Sequence, residues 1–425
     1  MINIEIINKF KKSGLIFEIT NESSLIEEFK KHNSITLYCG FDPTSDSLHL
    51  GHILPILFLK KMYDYDNNII ILIGGATSLI GDPSFKDKER ELYSHDIMRN
   101  NQKKLKKQIL LILKKNFSKK DVIVLNNYVW FSNINIINFL RDVGKHFSIN
   151  QMINRSSVID RINRSDLGMS FTEFSYSLLQ AYDFSYLYKN YNTILQIGGS
   201  DQWGNIVSGI TLTKKLYNKK VFGITIPLLI NKNGKKFGKS EKGTIWLDNK
   251  KTSVYDFYQF WLNITDVELK YFIKIFSFLG IIEKKLYKEN VVVDIIKNKQ
   301  IVADSVTKFV HGKKFLYIVK KICNILFNND FSDIQKSDFN FLTKKYVGLP
   351  VILVKKHEKL IKILLKASFS KSLGNSKKMI LSGAIKINNF VKKDCDYIFN
   401  ESDKFFSKYS FLCKGKKNFC ILYWG

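Results

Sequence analysis

Two histidines three residues apart, His49 and His52, close the segment Tyr38-Cys-Gly-Phe-Asp42-Pro-Thr44-Ser-Asp-Ser-Leu-His49-Leu-Gly51-His52. The segment reads as a strand, a Pro turn and a helix starting near Leu48. Histidines at that spacing share one side of a helix's first turn, where free N–H groups and the dipole favour anions. Gly51 between them lets a ring approach the backbone closely. Phosphate binding, a metal pair and an ordinary capped helix all stay open here, although no nearby carboxylate or Cys completes a metal ligand set.

A second group is Lys235-Lys236-Phe237-Gly238-Lys239-Ser240. It follows Asn233-Gly234, a favoured hairpin dipeptide, so its lysines should ride on an exposed loop. The spacing is one residue short of a Walker A loop and no clear helix follows, which excludes that reading. A mobile Lys cluster aimed at a polyphosphate and a solvated charge run both fit.

Tyr176, Gln180 and Asp183 lie in the apolar run FTEFSYSLLQAYDF. Offsets of four and seven bring them within roughly 60° of one another on a helix. Buried there, a polar stripe needs partners, and a polar ligand would supply them; facing solvent, it would be ordinary. Gln196-Ile-Gly-Gly-Ser-Asp201-Gln202-Trp203-Gly-Asn205 runs from a strand through Gly-Gly to an acid suited to ribose hydroxyls. Gly74-Gly-Ala-Thr77-Ser-Leu-Ile-Gly81-Asp82-Pro83 places another Asp after a strand.

The elements that must position these groups alternate in the first half of the chain. Strands are expected at Ile35–Phe41, Ile69–Gly74, Val122–Asn126 and Thr193–Ile197, with helical stretches between. That order makes a parallel sheet with helices on both faces, whose ligands sit beyond the carboxyl ends of the strands. Val254–Leu279 and Val291–Val319 each carry helical periodicity. The expected division is a parallel-sheet α/β domain over 1–232 and a mobile loop over 233–250. A helical domain over 251–330, a linker over 331–351 and a small α+β module over 352–425 follow.

Composition narrows the class. The chain has 425 residues, 45% apolar, with five Pro and five Cys. That excludes a disordered chain, and the scattered thiols, with no CxxC pair, support neither a disulfide framework nor a thiolate zinc site. The opening MINIEIINKFKKSG lacks a secretory pattern and no apolar run is long enough to span a bilayer, so a soluble, cytoplasmic protein is expected. A net charge of +29 suits a polyanionic partner. Six of the 67 basic residues are Arg, so a Lys-rich coding bias explains the charge as well.

In order and spacing these segments resemble the bacterial-type tyrosyl-tRNA synthetases along almost the whole chain. The family's two signatures correspond to Pro43–His52 and Lys236–Ser240. YCGFDPT, FTEFSYSLLQAYDF and QIGGSDQWGN match the tyrosine enzymes in particular, and SKKMILSGAIKINNFV resembles an S4-type RNA-binding core. Ser78 and Phe85 stand where the family has Gly, and the tail from 352 has no Arg.

The resemblance implies an α/β Rossmann-type catalytic domain, an α-helical domain and a small α+β S4-like domain. It implies activation of L-tyrosine by ATP with Mg2+, transfer to tRNA(Tyr), and a homodimer, without a structural metal or a membrane. Thr44, His49, His52, Lys236 and Lys239 would act on the phosphates. Tyr38 and Asp183 would meet the phenol, with Asp82, Tyr176, Gln180 and Gln202 around the ammonium. Cys39, Gly40, Asp42, Gly51, His52, Asp201, Lys239 and Ser240 would line the ATP site. An RNA-binding protein without chemistry, or a class I enzyme for another aromatic amino acid, is the alternative.

Overall fold

The computed structural model describes residues 2–84, 93–154, 158–159, 162, 168–229, 237–240, 243–282, 294–328, 334–344, 347–415 and 418–425. They form two compact units, one of residues 1–247 and 264–302, the other of 248–263 and 303–425.

The first unit is built on a six-stranded sheet. Its strands are β1 (Glu18–Ile19), β2 (Thr36–Phe41), β3 (Asn68–Ile73), β4 (Ile123–Asn126), β5 (Thr193–Gly199) and β6 (Phe222–Ile226), in the order β1-β6-β5-β2-β3-β4. All neighbours are parallel except β1, which pairs antiparallel with β6. β3 (NIIILI) and β6 (FGITI) are buried almost throughout, as parallel strands covered on both faces must be. Four strands agree with the expected ones to within a residue or two, and β6 went unread.

From β2 the chain runs outward to β3 and β4, then returns to lay β5 on the other side of β2. The strand order therefore reverses between β2 and β5, which opens a crevice at their carboxyl ends. Helix Phe171–Tyr191, capped by Ser170 onto the Glu173 N–H, runs into β5 through Asn192 in the left-handed region.

Val254–Leu279 is two helices rather than one, Val254–Leu262 and Asp266–Leu279. Thr265 and Glu268 form a capping box that restarts the helix after the break. Likewise Ile295–His311 and Lys313–Asn328 are separated at Gly312, whose φ is +95°. The stretch expected as one helical domain, 251–330, is divided between the two units.

The second unit carries a sheet of β8 (Val351–Val354), β9 (Ile385–Ile387), β10 (Phe390–Val391), β11 (Tyr409–Lys414) and β12 (Asn418–Trp424), in the order β10-β9-β11-β12-β8. Alternation sends Phe411, Cys413, Phe419 and Ile421 to one face. Leu412, Cys420, Leu422 and Trp424 go to the other, against helices Leu360–Lys366 and Leu373–Leu381. On the first face lie Ile322 and Ile325 of the preceding helix, with Phe339, Leu342, Val347 and Leu349. The stretch expected as a linker, 331–351, thus holds helix Lys336–Leu342 and much of a core. The reason is visible in NFCILYW: a strand apolar on both faces needs a layer on each.

Candidate active site

A cavity of about 330 Å3 opens at the crevice between β2 and β5. Tyr38, Cys39, Gly40, Asp42, Thr44, His49, Gly51, His52, Asp82, Tyr176, Gln180, Asp183, Asp201 and Gln202 all line it. Lys236 lies outside the described residues. Lys239 and Ser240 are described as backbone, in the short strand β7 (Lys239–Ser240), while their neighbours Phe237, Gly238 and Thr244 line the cavity.

At the inner end Asp183, 2% exposed, accepts hydrogen bonds from Asn127 Nδ2 at 3.0 Å and Trp130 Nε1 at 2.9 Å, one on each oxygen. Burial pushes its carboxyl well above the ordinary range and the two N–H donors oppose that. Tyr38 packs edge-on against Phe184 at 5.3 Å, and its buried hydroxyl has no partner among the described residues. Burial, with the charge of Asp183 added, pushes that phenol well above its usual value. Gln180 likewise buries an unpartnered Oε1. Such groups are costly unless something fills the space between them.

A chain of hydrogen bonds runs from there to the mouth. Asn127 Nδ2 donates to Thr77 Oγ1 at 3.0 Å, and Thr77 donates to Asp42 Oδ1 at 2.8 Å. Asp42 Oδ2 accepts from the Tyr176 hydroxyl at 2.8 Å. Asp82 accepts from Gln202 Nε2 at 2.6 Å and from the Ser84 N–H at 3.0 Å. Asp42 and Asp82 both push the Tyr176 phenol up, after burial, so two acids face this part of the cavity. Gly74 is required beside them, because a Cβ there would stand 1.7 Å from Asp42 Oδ1. Asp42, expected beside ATP, is thus engaged by hydroxyls on the Asp183 side.

The histidines differ from the expected first turn of an α-helix. They bracket a 3-10 turn, Leu50–His52, ahead of helix Ile53–Asp64. His49 Nδ1 accepts the Gly51 N–H and His52 Nδ1 accepts the His49 N–H, both at 3.1 Å. With each Nδ1 an acceptor, the neutral imidazoles carry their protons on Nε2, and each presents one N–H donor. Their rings lie 3.9 Å apart. Cys39, buried beside them, has its thiol pushed up to about 12 by desolvation.

Backbone pairing ties this turn to the lysine segment. Leu50 N–H donates to Ile245 O at 3.0 Å, Leu247 N–H to Leu48 O at 2.8 Å, and Ile245 N–H to Gly238 O at 2.7 Å. Gly238, at φ +87°, sits where a Cβ would come within 2.9 Å of Leu50 Cβ. Two motifs almost 190 residues apart therefore share one edge of the cavity.

Sequence reasoning missed Thr77 as a ligand-side hydroxyl, Asn127, Trp130, Gln196 and the wall Ile226–Leu229. Thr77 stood in a quoted motif. Asn127 and Trp130 follow β4, and a polar residue just past a strand's end was the available signal.

Residues 30–328 match the family described as tRNA synthetases class I (W and Y), and the chain belongs to it. Residues 342–422 match the tyrosine–tRNA ligase SYY-like C-terminal domain. The chain is 47% identical over 425 residues to a tyrosine–tRNA ligase of Buchnera aphidicola subsp. Baizongia pistaciae, covering 100% of both. It is 44% identical over 429 residues to that of Escherichia coli O139:H28, again covering 100% of both. Among solved structures, a C-terminally truncated mitochondrial tyrosyl-tRNA synthetase of Aspergillus nidulans superposes with a TM-score of 0.65 at 29% identity, over 76% of this chain and 94% of that one.

Proposed function

We infer that this chain is a tyrosine–tRNA ligase: it joins L-tyrosine to ATP as tyrosyl-adenylate and passes the tyrosyl group to transfer RNA. The observation that carries the choice of amino acid is the buried Asp183, gripped by two N–H donors beside the unpartnered Tyr38 hydroxyl. A phenol inserted there donates to Asp183 and accepts from Tyr38. Phenylalanine leaves the buried Tyr38 hydroxyl unpaired and brings no donor to Asp183. Discrimination of about 10⁵ by this means is known from the tyrosine enzymes themselves and is not worked out from these distances.

In the first step a tyrosine carboxylate oxygen attacks the α-phosphorus of ATP. The bond to the bridging oxygen breaks, and pyrophosphate leaves with the electron pair. The carboxylate is ionised at neutral pH, so no base is required. Positioning and charge stabilisation do the work. Asp42, Asp82, Tyr176, Gln180 and Gln202 hold the ammonium. The Nε2–H groups of His49 and His52, with the hydroxyl of Thr44, meet the phosphates. Lys236, Lys239 and Ser240 close over the pyrophosphate. Cys39, Gly40, Gly51 and Asp201 border the nucleoside, Asp201 on its hydroxyls.

Magnesium is read as arriving on the phosphates of ATP rather than in a protein cage. Among the described residues no group of three or more His, Cys, Asp or Glu could hold a metal. In the second step a terminal ribose hydroxyl of transfer RNA attacks the acyl carbon, and adenylate leaves with the electron pair. The hydroxyl proton passes to an oxygen of the departing phosphate.

The module 352–425, rich in Lys, is read as the RNA-binding part. A homodimer accounts for the apolar surface of helices Tyr128–Phe131, Ile136–Asp142 and Ile149–Ile153. There Val129, Ile136, Ile137, Leu140 and Ile149 are each exposed. No helix among the described residues is long and apolar enough to cross a membrane.

The test is ATP–pyrophosphate exchange run separately with all twenty amino acids. Exchange supported by tyrosine alone is expected, and equal exchange with phenylalanine or tryptophan overturns the assignment of the pocket.

A further inference from the structure

Helix His95–Asn116 contributes no residue to the lining of the cavity, yet one of its faces holds the turn that carries the phosphate-side groups. Asn101, Lys104 and Gln108, at offsets of three and seven, lie within roughly 60° of one another on it. Asn101 Nδ2 donates to Pro43 O at 3.4 Å, and Lys104 Nζ pairs with Asp46 Oδ2 at 3.0 Å. Gln108 Oε1 accepts the Leu48 N–H at 2.8 Å and the Ser47 hydroxyl at 3.4 Å. The stretch they grip, Pro43–Leu48, carries Thr44 and leads into His49.

The three grips differ in weight. The Asn101 bond is long, and the Lys104 side chain is half exposed, so its ion pair contributes little. The Gln108 bond is short, and Leu48 is 0% exposed, so losing it leaves a buried N–H without an acceptor. From the other side the Leu48 carbonyl accepts the Leu247 N–H at 2.8 Å. Leu48 is therefore clamped through both of its backbone groups. His49 has little freedom after that. Its Nδ1 accepts the Gly51 N–H and its own N–H donates to His52 Nδ1, so the direction of Nε2 follows from where the chain leaves Leu48. Gln108 uses only its oxygen, since its buried Nε2 has no partner among the described residues. An apolar side chain of equal length would avoid that cost, so stability alone does not call for an amide here.

We propose that Gln108 is a positioning residue for adenylate formation: its side-chain oxygen fixes Leu48 and, through it, aims the Nε2–H of His49 at the phosphates of ATP. This rests on the ligase reading above. Gln108 touches neither substrate and acts through His49.

The test uses the full chain with Gln108→Met, which keeps the length and loses the acceptor, and Gln108→Glu, which keeps an oxygen for the Leu48 N–H. Stopped-flow adenylate formation gives the rate constant and the tyrosine dissociation constant separately. In Gln108→Met the rate constant should fall about 5- to 150-fold, the range set by one buried N–H left without its acceptor. Tyrosine affinity should stay within about twofold, and Gln108→Glu should return to within about threefold of the unaltered chain. With His49→Ala already in place, Gln108→Met should cost less than about threefold more, because the group it positions is gone. Should Gln108→Met fail to fold, Gln108→Lys gives the same reading, since it also lacks an acceptor and its end reaches water from this partly exposed position. An unchanged rate constant in the folded variant overturns the proposal. So does Gln108→Glu no faster than Gln108→Met, an equal loss with His49 removed, or tyrosine binding that weakens in step. Absence of tyrosine-dependent adenylate formation in the unaltered chain would instead defeat the ligase reading, whatever Gln108 does.

Discussion

Replacing Asp183 by Asn keeps the shape of the side chain and changes what it can accept. The carboxylate takes one N–H on each oxygen, from Asn127 at 3.0 Å and Trp130 at 2.9 Å. An amide leaves one oxygen to accept and turns a donor toward whichever N–H remains. The substrate phenol also loses a charged acceptor. A hydrogen bond to a charged group is worth about 1.5–3 kcal/mol, which at about 1.4 kcal/mol per decade is a factor of about 10–150. In Asp183→Asn, kcat/KM for tyrosine in pyrophosphate exchange should fall by that factor. Phenylalanine, with no hydroxyl to place, should change little, so the tyrosine-to-phenylalanine ratio collapses. Trp130→Phe removes the Nε1–H with the smaller ring of the indole and keeps a six-membered ring on Tyr186, now stacked at 4.3 Å, so it should shift the ratio the same way by less. A ratio unchanged in folded Asp183→Asn would refute the phenol contact.

The same variant has a pH signature of fixed sign. Burial raises the folded-state pKa of Asp183 above its unfolded value of about 3.9. The folded protein therefore holds that proton more tightly than the unfolded chain. Its contribution to stability is present below the unfolded value and is lost as pH rises through the folded one. Urea unfolding across that window should show Asp183→Asn gaining on wild type as pH rises. An Asp183→Asn variant whose stability relative to wild type stays flat or falls as pH rises would contradict the burial argument.

Gly238→Ala asks a residue with a Cβ to hold φ +87° against Leu50 Cβ at 2.9 Å; adenylate formation, followed by stopped flow, should slow with tyrosine affinity unchanged. Cys39 is 3% exposed and its thiol is pushed up to about 12, so native protein at pH 8 should leave it unalkylated by iodoacetamide while denatured protein does not, as mass spectrometry would show. Ile137→Asp, in the apolar patch where Ile137 is 66% exposed, should halve the mass seen in sedimentation without unfolding the chain.

How much could be read beforehand differs between elements for physical reasons. β2, β3 and β5 were legible because strands buried on both faces read as largely apolar runs, and Gly marked where each of them ends; β4, a more exposed edge strand, was legible from its short β-branched run. The break at Thr265 went unread although Thr-x-x-Glu is a local capping signal, because the helical period continues across it and masked the stop. The linker expected at 331–351 failed for a non-local reason. Only the distant NFCILYW strand, apolar on both faces, explains why Phe339 and Leu342 must be buried.

Within the site, residue type and order in this one chain were enough to gather fourteen cavity-lining residues, because each sat in a short run whose local structure the sequence dictates. Which atoms those side chains bond was not local. Asp183 meets Asn127 and Trp130 more than fifty residues away, and Asp42 meets Tyr176 across 134. Both histidines spend their Nδ1 atoms on backbone N–H groups, which fixes where their protons sit. Amino-acid order specified strands, turns and the chemistry available at their ends. The reversal of strand order between β2 and β5 brought those ends together, and burial there made each hydrogen-bond partner compulsory, since water was no longer present to serve as one.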